Sequence, residues 1–172
     1  MTVAYDPTTD NQYWLFIFEP LQELTRTEFP TIDIGVIHEG EQSFVFRDIS
    51  NDLVESDYRG ENRTYQIEVV YDYAGGDVLD SNTRKRLSNI SERFKRMVHN
   101  YRDFSVEVHW VDEGGTWGNT THTWGSDEST YCWDMGRIES INQNQENFEA
   151  EEGHYRVSML FQCERQEVVR ES

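Results

Sequence analysis

Apolar positions recur at three- and four-residue steps between Asp80 and Phe104. Leu87, Ile90, Phe94, Met97, Val98 and Tyr101 therefore fall on one face of a predicted helix. Asp80, Ser81 and Asn82 can each cap its start, because a short side-chain oxygen accepts the unpaired N–H groups of the first turn. A second helix is expected near the N-terminus, capped by Asp10 and carrying Tyr13, Trp14, Phe16, Ile17, Phe18, Leu21 and Leu24. Pro20 interrupts it. Proline costs a helix interior about 3 kcal/mol, so the helix either kinks there or Pro20 opens its second part. Phe29-Pro30 ends it.

Elsewhere the period drops to two, as expected for strands with one buried face. Ile32, Ile34 and Val36 alternate, a turn follows at His38–Gln42, and Ser43–Ile49 alternates again. The polar run Ser50–Glu61 reads as a loop. Arg63–Tyr73 gives the strongest strand, with Tyr65, Ile67, Val69, Tyr71 and Tyr73 on one side. Ser105–Val111, Tyr131–Ile141 and His154–Val168 supply further strands, the last alternating Tyr155, Val157, Met159, Phe161 and Cys163. Strands come in consecutive groups between helices. That order predicts one α+β domain over residues 1–172, a mostly antiparallel sheet with two main helices packed on one face. Residues 112–130 fit no period. They hold four glycines with Trp117 and Trp124 among polar residues, and read as a long surface loop. Such tryptophans either fold back over the core or meet a partner.

Charge adds a second pattern. Against 33 acidic residues there are 15 basic ones, two lysines and the rest arginine, for a formal charge of −18. That balance repels phosphate and argues against general nucleic-acid binding. Many carboxylates with little lysine fit adaptation to high salt, where screening tolerates the crowding. Seven of the basic residues lie on the Asp80–Phe104 helix: Arg84, Lys85, Arg86, Arg93, Lys95, Arg96 and Arg102. This positive face is either solvated or meets acidic neighbours, within the chain or on another copy. The N-terminus has no secretory character, and no apolar run approaches the roughly 20 residues that span a bilayer.

Catalytic signatures are missing. The five histidines are scattered singly, Cys132 and Cys163 have no metal spacing, and neither a phosphate-cradling glycine motif nor a nucleophile elbow occurs. Carboxylates are so abundant that close pairs arise by chance. No catalytic residue, metal or cofactor is assigned, and the chain is not expected to be an enzyme.

The layout resembles the tail terminator proteins of long-tailed phages and haloarchaeal tailed viruses, the minor tail protein U type. The resemblance runs over residues 10–168. It is carried by Glu28-Phe-Pro-Thr-Ile after the first helix, the strand TYQIEVVYDY, the long helix Thr83–Arg102, and a last strand opening Tyr155-Arg-Val-Ser-Met-Leu-Phe. The Trp-rich loop at 112–130 departs from the compact members. The resemblance implies a ring of identical subunits, a hexamer, that caps the tail tube and meets the head–tail connector. It also implies assembly in the host cytoplasm and a place in the virion neck. Two alternatives stay open: another neck or head-completion protein, or a halophilic ligand-binding domain using the Trp-rich loop.

A closed ring needs two different complementary patches on each subunit. Arg86, Arg93 and Arg96 share one side of the helix and are the candidate contact residues. Their planar forks can hold carboxylates bidentately. At molar salt the Debye length is about 3 Å, so apolar anchors must contribute most of the affinity. Trp117, Trp124 and Trp133 are the candidates.

Overall fold

A computed structural model describes residues 13–35, 41–57, 60–74, 81–107, 129–142 and 154–167. The first helix starts as a π-helical turn over Trp14–Phe18, in which the Glu19 N–H donates to the Trp14 carbonyl, and continues as α1 (Glu19–Glu28). Pro20 follows at the junction, where it cannot donate the next ladder bond. The wider turn ahead of it keeps the segment continuous. Ile17, Phe18 and Leu21 are buried, and so is Thr25, which satisfies its hydroxyl on the Leu21 carbonyl at 2.7 Å.

The long helix, α2, spans Ser81–Asn100. Leu87, Phe94, Met97 and Val98 are buried as the periodicity predicts, and Ile90 packs at their margin. Tyr101 departs from that set. It follows the helix, is 42% exposed, and meets Phe104 edge-on at 5.4 Å. Ser91 joins the buried face instead, with its hydroxyl bonded to the Ser88 carbonyl. Of the proposed caps, Asp80 lies outside the described residues, and Ser81 and Asn82 are already helical.

Among the described residues there are six strands: β1 (Asp33–Gly35), β2 (Gln42–Asp57), β3 (Gly60–Ala74), β4 (Phe104–Glu107), β5 (Ser129–Asn142) and β6 (His154–Glu167). They form one sheet in the order β1-β2-β3-β6-β5-β4. The β1–β2 pair is parallel and every other pair is antiparallel. The fold is thus α+β, a mixed sheet with two helices.

Register explains where the core lies. Tyr65, Ile67, Val69 and Tyr71 of β3 stand opposite Cys163, Phe161, Met159 and Val157 of β6. Both strands alternate with period two, so these eight side chains form one layer, and all are buried. Phe44 and Phe46 of β2 extend the layer. Phe44 touches Phe29, just past α1, and Phe94 of α2, with ring centroids at 5.0 and 5.7 Å. The opposite side of the central strands is also covered in part: Ser43, Val45, Val70 and Asp72 are buried. Asp72 accepts from Arg156 Nε at 2.6 Å.

One expectation needs correction. Ser50–Glu61 is not a loop: β2 runs through to Asp57 and β3 starts at Gly60. Two bulges leave Ile49 and Val54 without a partner on β3. Each bulge shifts the alternation by one residue, and the distal half of β2 is exposed along its length. A strand that buries neither face and changes phase twice has no period for a sequence to show.

Candidate functional site

The basic face of α2 splits into three environments. Arg86 turns to the sheet: its guanidinium lies over the Tyr73 ring at 4.6 Å and donates to Gln42 Oε1 at 3.1 Å. The Tyr71 hydroxyl donates to the same oxygen, and hydrogen bonding with Tyr71 pushes the Arg86 pKa up. Arg93 turns to the end of α1. It pairs with the Glu28 carboxylate at 2.5 Å, donates to the Glu28 carbonyl at 2.6 Å and covers the Phe29 ring at 4.8 Å. Both arginines thus tie α2 to its own chain. Arg96 is different, exposed and with no partner among the described residues.

Of the aromatic candidates, Trp117 and Trp124 lie outside the described residues. Trp133 does not lie on the surface. It is 1% exposed, packs against Phe104 and Phe161, and donates its indole N–H to the Tyr101 carbonyl at 3.1 Å. A side chain enclosed by its own core has no area to offer a neighbour, so Trp133 leaves the set of contact residues.

Trp133 instead anchors a feature that the sequence analysis missed. Immediately after it β5 breaks register with β6 between Asp134 and Arg137. Met135 takes a left-handed backbone, φ 56°, which a residue with a Cβ adopts at a cost of roughly 1–2 kcal/mol. The Met135 N–H donates to Asp103 Oδ1 and the Gly136 N–H to the Arg102 carbonyl, so the turn after α2 holds the bulge in place. Position 136 must be glycine for lack of space. A Cβ there would stand 2.6 Å from Trp133 Nε1 and 3.2 Å from the Arg102 carbonyl oxygen. Gly136→Ala should therefore destabilise the fold by about 1–3 kcal/mol in denaturant unfolding. A loss under ~0.5 kcal/mol would mean that the indole moves aside freely.

The bulge separates charge. Arg102 and Asp103 are adjacent, and Asp134 and Arg137 lie close together on β5, yet the acids and bases line different grooves. One groove, about 450 Å³, runs between α2 and β5 and is lined by Lys95, Arg96, His99, Arg102 and Arg137, with Glu92 as its acid. Lys95 pairs with Glu92 at 3.8 Å and Arg137 with Glu139. The second groove, about 610 Å³, is lined by Glu55, Asp57, Asp103, Asp134 and Glu164 with Met135 at its edge. Glu164 alternates with buried Cys163 and Arg165, so this groove opens on the sheet face away from the core layer.

Burial shifts several titratable groups toward their neutral forms. Burial pushes the Cys163 thiol far above its ordinary range, and burial together with the Asp48 hydrogen bond does the same to the Tyr13 hydroxyl. Tyr71 and Glu167 are also shifted up by burial. A thiol in that state is not a nucleophile. Neither Cys132 nor Cys163 forms a disulfide. Among the described residues no group of three or more His, Cys, Asp or Glu side chains is placed to hold a metal ion. Among them, too, no helix is long and apolar enough to cross a membrane. No family model matches the chain, nor does the sequence of any curated protein.

Proposed function

We propose that this protein is a structural component of a virion, a tail terminator-like subunit. Identical copies close into a ring, expected to be a hexamer, that caps the tail tube and joins it to the head–tail connector. It acts by fitting surfaces together and carries no catalysis. The observation that carries the reading is the distal half of β2. Ile49, Leu53 and Val54 are 53%, 52% and 61% exposed within six residues, in a chain of mean hydropathy −0.79. From Phe46 onward the outer edge of β2 has no strand neighbour among the described residues. The edge carries charge at Arg47, Asp48, Asp52, Glu55 and Asp57, yet three large aliphatic side chains stay exposed between those charges. The two bulges discourage open-ended strand addition, while the aliphatic side chains favour burial against one defined neighbour.

The reading includes two helices packed on one face of the sheet, leaving the other for neighbours. Its support is Phe44, which touches both Phe29 and Phe94. A salt-loving host is part of the proposal, supported by the −18 charge and the two lysines. Native mass measurement and negative-stain imaging in high salt test it. The expected particle is a closed ring of six times the 20.4 kDa chain mass. A monomer at every salt concentration would overturn the ring and favour the ligand-binding domain.

A further inference from the structure

We infer that the basic groove beside α2 receives the carboxylate-lined groove of a second copy of this chain. The proposal rests on the ring reading and deepens it by naming the two surfaces that meet.

Three observations carry it. First, part of the groove's positive charge is available, although Lys95 and Arg137 are paired with Glu92 and Glu139. Arg96 and His99 have no partner among the described residues, and Arg102 reaches only the sulfur of Met135, at 3.0 Å. Arg86 and Arg93, by contrast, are engaged by Gln42, Tyr73 and Glu28. Arg84 and Lys85 are also exposed and without a partner among the described residues, but they lie a turn or more before the groove, which begins at Glu92. Second, a surface of opposite charge exists on the same subunit, the groove lined by Glu55, Asp57, Asp103, Asp134 and Glu164. Glu55 and Glu164 in it have no partner among the described residues. Third, the two grooves are separate surfaces with no lining residue in common. One adjoins α2, whose Met97 and Val98 belong to the core cluster, and the other adjoins Glu164, which faces away from that cluster. Two distinct patches of opposite charge suit head-to-tail contact, which closes into a ring when the rotation permits.

Arginine fits this role. Its fork can bind a carboxylate bidentately, and contact pairs of that kind persist at salt concentrations where longer-range attraction is screened. Registers that set acidic surface against acidic surface are disfavoured by repulsion.

Charge exchange tests the pairing. Arg96→Glu with Arg102→Glu reverses one groove, and Glu55→Arg with Glu164→Arg reverses the other. Each pair of substitutions alone juxtaposes like charges and should raise the concentration at half-assembly at least ~100-fold, at the lowest salt where the wild type is folded. Circular dichroism and the unfolding midpoint should show each variant folded. An equal mixture of the two variants should restore assembly, because strict alternation in a hexamer matches every interface. A single chain carrying all four substitutions should also assemble. If the wild type forms rings and either variant assembles as it does, the groove pairing is wrong while the ring reading stands. The pairing is equally wrong if the basic-groove variant fails and neither the mixture nor the fourfold variant recovers. A wild type that is monomeric at every salt overturns both.

Discussion

Phe94→Ala should cost about 3–5 kcal/mol in urea unfolding. The Phe94 ring is fully buried where α2, the end of α1 and the sheet meet: it stacks on Phe29 with centroids 6.4 Å apart and lies 5.7 Å from Phe44. Truncation would remove the transfer energy of an aromatic ring and leave a cavity bounded by three elements. Those elements are held apart by other contacts, including the Arg93–Glu28 pair, so collapse is limited. The control is Tyr101→Ala. Tyr101 belongs to the same periodic series in the sequence but is 42% exposed. Its truncation should cost under ~1 kcal/mol. Equal losses at both positions would show that α2 buries a different face.

The second large effect is expected from salt. Thermal unfolding should show a midpoint that rises by ~10 °C or more between dilute buffer and molar salt, where each 1 kcal/mol is worth ~2–4 °C at this chain length. Two opposing contributions decide the sign. Salt weakens attractive pairs such as Arg93–Glu28 and Arg26–Glu23, which are half-exposed and contribute little. The Arg156–Asp72 pair is screened less, because Asp72 is 2% exposed. Against these stands the mutual repulsion of 33 acidic residues with 15 basic ones, concentrated where Glu55, Asp57, Asp103, Asp134 and Glu164 converge. Repulsion dominates, so the midpoint rises. Screening is nearly complete once the Debye length falls to about 3 Å at 1 M. A continued rise beyond that point would indicate stabilisation by salt exclusion from the surface. A flat profile from dilute buffer upward would sink the high-salt reading.

Arg86, Arg93 and Arg96 show how far a one-dimensional pattern reaches. Their spacing puts them on one side of a helix, and α2 is helical across all three. What each guanidinium touches is not in that spacing. A long flexible side chain bends toward whatever lies beside the helix, and the neighbours come from distant segments: Gln42 and Tyr73 for Arg86, Glu28 and Phe29 for Arg93. Only Arg96 is left to the surface, joined there by Arg102 and by Arg137 from β5.

By itself the sequence determined the two helices, the alternating strands and nearly all of the buried face of α2, because those depend on local spacing and on side chains within one turn or one strand. The buried layer of β3 and β6 was legible for the same reason: Tyr65 to Tyr71 and Val157 to Cys163 each carry their own period of two. Only the tertiary structure decided the strand order, the length of β2 and the fate of Trp133. Strand order depends on pairing across the chain, as between Tyr65 and Cys163, which leaves no mark in either segment alone. The distal half of β2 is solvated on both faces and changes phase at Ile49 and Val54, so nothing periodic survives there. By residue type Trp133 is a candidate contact anchor within the predicted strand 131–141, but the Met135–Gly136 bulge, held by Arg102 and Asp103 from far earlier in the chain, encloses its indole. That bulge also sends Arg137 and Asp134 to different grooves, a separation of charge made by backbone geometry at two residues and invisible in their order along the chain.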